Sequence, residues 1–191
     1  PADAPGAPNN FVCTSNDINL TLVELTDLTS CTEGEIATAT FDIDLEVNAN
    51  IRYNPIVWIS QNGIDPRTTG SVCYATSIPD GPITHIPELL FDDANQCADI
   101  DVPGNNFTLG NLLLGPVDFL CTDSDNDGLA EIPIMVTWEN SAGAACAQDN
   151  YPINSTPSKC DAFTAESNIT VVNEPGLVLT KSGTLNDDDG T

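Results

Sequence analysis

From Thr38 to Val47 the chain alternates without a break: Phe41, Ile43, Leu45 and Val47 fall on one side, Thr40, Asp42, Asp44 and Glu46 on the other. Successive side chains of an extended strand point to opposite faces. A period of two over this length therefore specifies a strand with one face on a core and one face toward water. Such a strand needs hydrogen-bonded neighbours and a second layer to cover its apolar side. Its outer face carries three acids in line, which repel one another unless a cation or a basic partner sits nearby.

The rest of the chain uses the same vocabulary. Thr, Asn, Val, Ile, Gly and Pro are abundant, and helix formers are sparse. Ile18 to Leu25 and Ile51 to Ser60 read as strands, the second with Val57, Trp58 and Ile59 at its centre. Further strands are expected at Val72–Ala75, Ile132–Trp138 and Phe163–Asn173. Gly115-Pro116 is expected to split Leu109–Leu120 into two short strands, and Pro87 to confine Ile83–Phe91 to an edge or a loop. Gln61-Asn62-Gly63 and Pro79-Asp80-Gly81 supply turns, and Asn140 to Ser158 reads as loop. Many strands separated by turn signals predict an all-β, disulfide-stapled β-sandwich of jelly-roll or immunoglobulin-like type. The division expected is an extended segment 1–10, a sandwich domain 11–174, and a linker with a C-terminal strand at 175–191, where Glu174-Pro175-Gly176 marks the boundary.

Seven cysteines are spread along the chain with no C-x-x-C, which fits disulfides in an oxidising compartment rather than zinc or thioredoxin chemistry. Pairing of sequence neighbours gives Cys13–Cys31 and Cys73–Cys97, each closing a loop of roughly 20 residues worth about 3 kcal/mol. Cys146–Cys160 follows, with Cys121–Cys160 as the alternative. One thiol is left over, expected buried, with a bond to a neighbouring subunit as the other option.

Charge narrows the partners. The chain has 29 acidic and 4 basic residues, a net charge of −25. Nucleic acid is excluded, since binding it takes Lys and Arg to displace counterions, and so is an anionic membrane surface. No apolar run approaches the ~18 residues of a membrane span. The opening Pro1-Ala2-Asp3-Ala4-Pro5 reads as a processed N-terminus or an exposed leader. An extracellular or cell-surface location is expected. Four N-x-S/T triplets begin at Asn19, Asn106, Asn154 and Asn168, and in a bacterium they are expected to be unmodified. His85 has no nucleophile motif near it, and no G-x-S-x-G occurs, so no enzyme is expected.

Asp123, Asp125 and Asp127 are spaced by two, followed by Gly128 and then Glu131. Calcium takes six to eight oxygens on a tight loop, and acids at alternate positions with a glycine at the turn provide that. The expected ligands are these three Asp, the Leu129 carbonyl and Glu131. Ile132-Pro133-Ile134 reads as strand, so the loop is not an EF-hand. The tail Asn186-Asp187-Asp188-Asp189-Gly190 is a weaker version with no later acid.

Cys13-Thr14-Ser15-Asn16-Asp17, Cys31 with Glu33-Gly34-Glu35, Arg52-Tyr53-Asn54, Thr69-Gly70-Ser71-Val72-Cys73, Cys97-Ala98-Asp99-Ile100, Cys121 with the Asp loop, Trp138 and Thr156-Pro157-Ser158-Lys159-Cys160 occur in that order. This series resembles a cysteine-rich domain of large bacterial secreted surface proteins, where it precedes immunoglobulin-like surface repeats. Leu177 to Gly190 resembles the first strand of such a repeat. Where that pattern ends in C-x-C, this chain has Ala162. The resemblance implies an adhesin-like or surface-array setting without catalysis. An apolar strand at Leu177, Val178, Leu179 and Lys181 after a Pro-Gly linker could instead complete the sheet of a neighbouring subunit, and head-to-tail repetition would build a pilus-like filament. The alternative is a calcium-dependent adhesin module with a host-surface or matrix ligand.

Overall fold

The computed structural model describes residues 4–5, 13, 16–49, 51–77, 89–91, 98–101, 107–140 and 159–173. Among the described residues it is all-β, with no helix. The strands are β1 (Ala4–Pro5), β2 (Ile18–Leu25), β3 (Ser30–Thr32), β4 (Ile36–Val47), β5 (Ile51–Ser60), β6 (Val72–Ser77), β7 (Leu89–Phe91), β8 (Ala98–Asp101), β9 (Phe107–Leu120), β10 (Leu129–Glu139) and β11 (Lys159–Val172). They form two sheets. The larger runs β1-β6-β5-β10-β11-β3, with β8 on the start of β5 and β7 on β8; the smaller runs β2-β4-β9. The architecture is a disulfide-stapled β-sandwich.

The alternating segment is the middle strand of the small sheet. Phe41, Ile43, Leu45 and Val47 are fully buried, while Thr40, Asp42, Asp44 and Glu46 alternate with them on the outer face. Phe41 meets Phe119 of β9 edge to face, with ring centroids 5.8 Å apart. Val57 and Ile59 of β5 and Ile132, Ile134, Val136 and Trp138 of β10 face them from the large sheet. The two tryptophans sit on opposite faces of that sheet. Trp138 joins the main core, whereas Trp58 packs with Ile56, Cys73, Met135 and Cys160 in a second apolar layer. The Trp58 indole N–H donates to the Thr137 hydroxyl at 3.0 Å, which satisfies its one polar atom.

Several boundaries differ from expectation. Gly115-Pro116 does not divide β9; the strand continues across a cis peptide bond with a register shift against β4. Strands β3 and β8 carry no alternation long enough to be read from sequence, and they exist because β11 and β5 offer them a ladder. Ala4 and Pro5, in the expected extended segment, bridge to Cys73 and Val72 of β6. The expected turn at 79–81, the loop 141–158 and the C-terminal strand 175–191 lie outside the described residues, as does His85.

The disulfides correct the neighbour-pairing expectation. Cys13 bonds Cys160 across 147 residues, and Cys31 bonds Cys121 across 90. Cys13–Cys31, Cys146–Cys160 and Cys121–Cys160 are therefore wrong. Cys73 is a free, buried thiol, so Cys73–Cys97 is wrong as well. Cys97 and Cys146 lie outside the described residues. The physical reason is topological. Cys13 and Cys31 belong to different apolar layers, and the bridges instead tie β11 to the N-terminal segment and β3 to the end of β9.

One side of the sandwich is closed by side chains of β11. Ser167-Asn168-Ile169 bulge opposite Ala130, where the β10–β11 register shifts. Asn168 then reaches β2: its Oδ1 accepts from the Leu25 N–H at 2.8 Å and its Nδ2 donates to the Leu25 carbonyl at 3.1 Å. The Asp161 carboxylate accepts from the Leu20 N–H at 3.4 Å. These side chains stand where a further strand would otherwise pair. Both polar ends of the Asn168 amide are engaged.

Candidate metal centre

The loop between β9 and β10 spans Thr122 to Gly128 and hangs from a rigid frame. The Cys121 N–H donates to the Glu35 carbonyl and the Cys121 carbonyl accepts from the Gly34 N–H, both at 2.9 Å, beside the bond to Cys31. The Glu131 N–H donates to the Thr122 carbonyl at 2.8 Å, and the Thr122 hydroxyl donates to the Glu131 carbonyl at 3.1 Å. The two strands are thus pinned together at the neck of the loop.

Inside it, each aspartate turns back on the backbone. Asp123 accepts from the Asp127 N–H at 3.1 Å and the Gly128 N–H at 3.0 Å. Asp125 accepts from the Asp127 N–H at 3.1 Å, and Asp127 from the Leu129 N–H at 2.8 Å. Short Asp side chains that bond an amide two residues on favour this kind of turn. Asn126 and Gly128 take left-handed φ values of 63° and 91°, a region open to Asn and Gly at low steric cost. Together these turns bring one oxygen of each of Asp123, Asp125 and Asp127 to within 4.8 Å of the others.

The remaining expected ligands fare differently. Glu131 is not part of this convergent group. Its carboxylate accepts from both the N–H and the hydroxyl of Ser124, which closes the neck of the loop. Leu129 opens β10, paired with Thr170, and its N–H is taken by Asp127. Ser124 is not among the expected ligands, although a hydroxyl between two acids in a turn is the natural donor for a nearby carboxylate. Residues 186–190 lie outside the described residues, as do Leu177, Val178, Leu179 and Lys181.

Elsewhere basic side chains are already committed. Arg52 and Lys159 both reach Asp17, at 2.9 and 3.3 Å, and Arg67 pairs with Asp65 at 2.5 Å. The outer face of the small sheet has acids facing acids. Glu24 stands directly opposite Asp42 on the neighbouring strand. Burial raises the Asp42 carboxyl above its usual range, and the charges of Asp44 and Glu24 raise it further.

No helix among the described residues is long and apolar enough to cross a membrane. No protein-family model matches the chain. Neither the curated proteins nor the solved structures provide a match.

Proposed function

We propose that this chain is a non-enzymatic extracellular structural protein, a subunit of a pilus-like filament assembled by β-strand complementation and stabilised by calcium and disulfides. The observation that carries the reading is an asymmetry in the sandwich. One edge of the small sheet is occupied by Asp161 and Asn168, while β9, at the other edge, pairs with no strand but β4 among the described residues. Two disulfides that span most of the chain favour a rigid body suited to transmitting load and to an oxidising setting.

Calcium fits the Asp loop by donor chemistry. Three carboxylates held on one side of a tight turn repel in the absence of a cation and supply hard oxygen ligands in its presence. Asp123, Asp125 and Asp127 would hold the ion. Glu131 would serve either through a bridging water or by leaving Ser124. The ion would fasten the β9–β10 connection beside the Cys31–Cys121 bond and perform no chemistry.

Electron microscopy and sedimentation of the chain, with and without residues 177–191, test the assembly. Polymers that depend on those residues support it; polymers indifferent to their removal refute it. Calcium titration monitored by calorimetry tests the loop, with Asp125→Asn as the control. Equal heats for the two proteins would refute the site.

A further inference from the structure

A sheet that is apolar on both faces needs a covering layer on each. The small sheet covers one face of the large sheet. On the other face Ile56, Trp58, Cys73, Met135 and Cys160 form the second apolar layer, and each is 2% exposed or less. Burial of that degree requires chain above them. Of the described apolar residues packed against this layer, Ala75 and Ala162 belong to the sheet itself, and Cys13 comes from outside it.

The register lays this face out as a diagonal. Cys73 stands opposite Ser60, Trp58 opposite Met135, and Thr137 opposite both Ile56 and Cys160. The chain ahead of β2 is tied to both ends of that diagonal. Ala4 and Pro5 pair with Cys73 and Val72 at one end, and Cys13 is bonded to Cys160 at the other. From β1 to β11 there are four strand spacings, about 19 Å. Along the strands, Val72 lies level with Gln61 and Cys160 level with Ile56, an offset of five residues or about 17 Å. The diagonal between the anchors is therefore about 25 Å. The eight residues from Pro5 to Cys13 reach at most about 26–29 Å when fully extended. A connection with so little slack has one short path, and it passes above Trp58 and Met135.

We propose that residues 6–12 cross the outer face of the large sheet as an extended strap of the same chain, with Phe11 seated on Met135. Two residues before Cys13 the path stands above β10 beside Met135, and the residue at that point is Phe11. A thioether against an aromatic ring is a favourable contact. The strap makes the Cys13–Cys160 bond the lock on a second core as well as a crosslink. The inference concerns the large sheet and is independent of strand complementation at the small one.

Two full-length variants test it. Phe11→p-benzoylphenylalanine keeps an aromatic ring at the position and, on irradiation, inserts into a C–H bond of whatever lies against it. Peptide mapping of the monomer is expected to join residue 11 to Met135. Met135 is the chain's one methionine, so a sulfoxide mass reports that site alone. Phe11→Ala is expected to speed its oxidation by hydrogen peroxide about tenfold while the far-ultraviolet circular dichroism of the sheets is kept. An unchanged oxidation rate in the folded variant would overturn the strap. So would a crosslink to residues 78–88 or 141–158, or none at all, and this readout decides the matter by itself if Phe11→Ala does not fold. Crosslinks to Met135 found only in covalent dimers would assign the strap to a second copy and overturn the intrachain path.

Discussion

Removing the Cys31–Cys121 bond as a Cys31→Ala/Cys121→Ala pair perturbs the fold where β3 meets the end of β9. The bond spans 90 residues, so the loop it closes in the unfolded chain costs about 4.6 kcal/mol of entropy in the chain-entropy model. The outer bond, Cys13–Cys160, spans 147 residues. With the inner bond intact, however, it closes only roughly 60 residues of remaining slack, worth about 4 kcal/mol. The two staples are nested, and each removal therefore costs less in the presence of the other than the separations alone suggest. Cys121 is fully buried and Cys31 nearly so, and truncation adds about 1 kcal/mol of lost packing. The expected loss for the inner pair is about 4–5 kcal/mol, against about 3 kcal/mol for a bridge between sequence neighbours. Urea unfolding followed by tryptophan fluorescence measures it. The m-value should rise as well, because the unfolded chain expands. A loss under about 1 kcal/mol, or a tryptic map joining Cys13 to Cys31, would refute the reasoning.

Other consequences follow from particular contacts. Asn168→Ala removes both hydrogen bonds to Leu25 and is expected to cost about 1–2 kcal/mol; an unchanged urea midpoint would show that the clasp is idle. Asp42 has a raised folded pKa, so its carboxylate form opposes folding at neutral pH and the cost lifts as pH falls through that pKa. Asp42→Asn should accordingly raise the melting temperature at pH 7, with the gain vanishing toward pH ~4; a gain that persists in acid would refute it. Asp65 runs the other way: Arg67 holds its carboxyl low, and the stability this gives is lost as pH falls through the depressed pKa. Burial pushes the Cys73 thiol up to about 11. Iodoacetamide at neutral pH should leave Cys73 unmodified until the chain is unfolded, and peptide mapping that finds early labelling there would place it outside the core.

The alternation in Thr38–Val47 determined by itself that a half-buried strand lies there, and every one of its apolar positions is buried. A period of two is a local property of extended backbone, so the sequence could carry it alone. The same holds for the Asp loop: acids spaced by two, then Asn and Gly at left-handed φ, make the turn without help from distant residues. Disulfide pairing was not legible, because which cysteines meet depends on which strands become neighbours, and proximity along the chain pointed to the wrong partners. Nor could the sequence assign Glu131 to Ser124 rather than to the aspartates, since that turns on how the neck of the loop is pinned. The role of Asn168 was hidden for the same reason: a triplet that reads as a glycosylation sequon becomes a clasp only once β11 bulges toward β2. Tertiary structure decided, too, that the β2 edge of the small sheet is taken by the side chains of Asp161 and Asn168. Hydrogen-bonding capacity along an edge depends on what lies beside it in space, and no window of sequence contains that information.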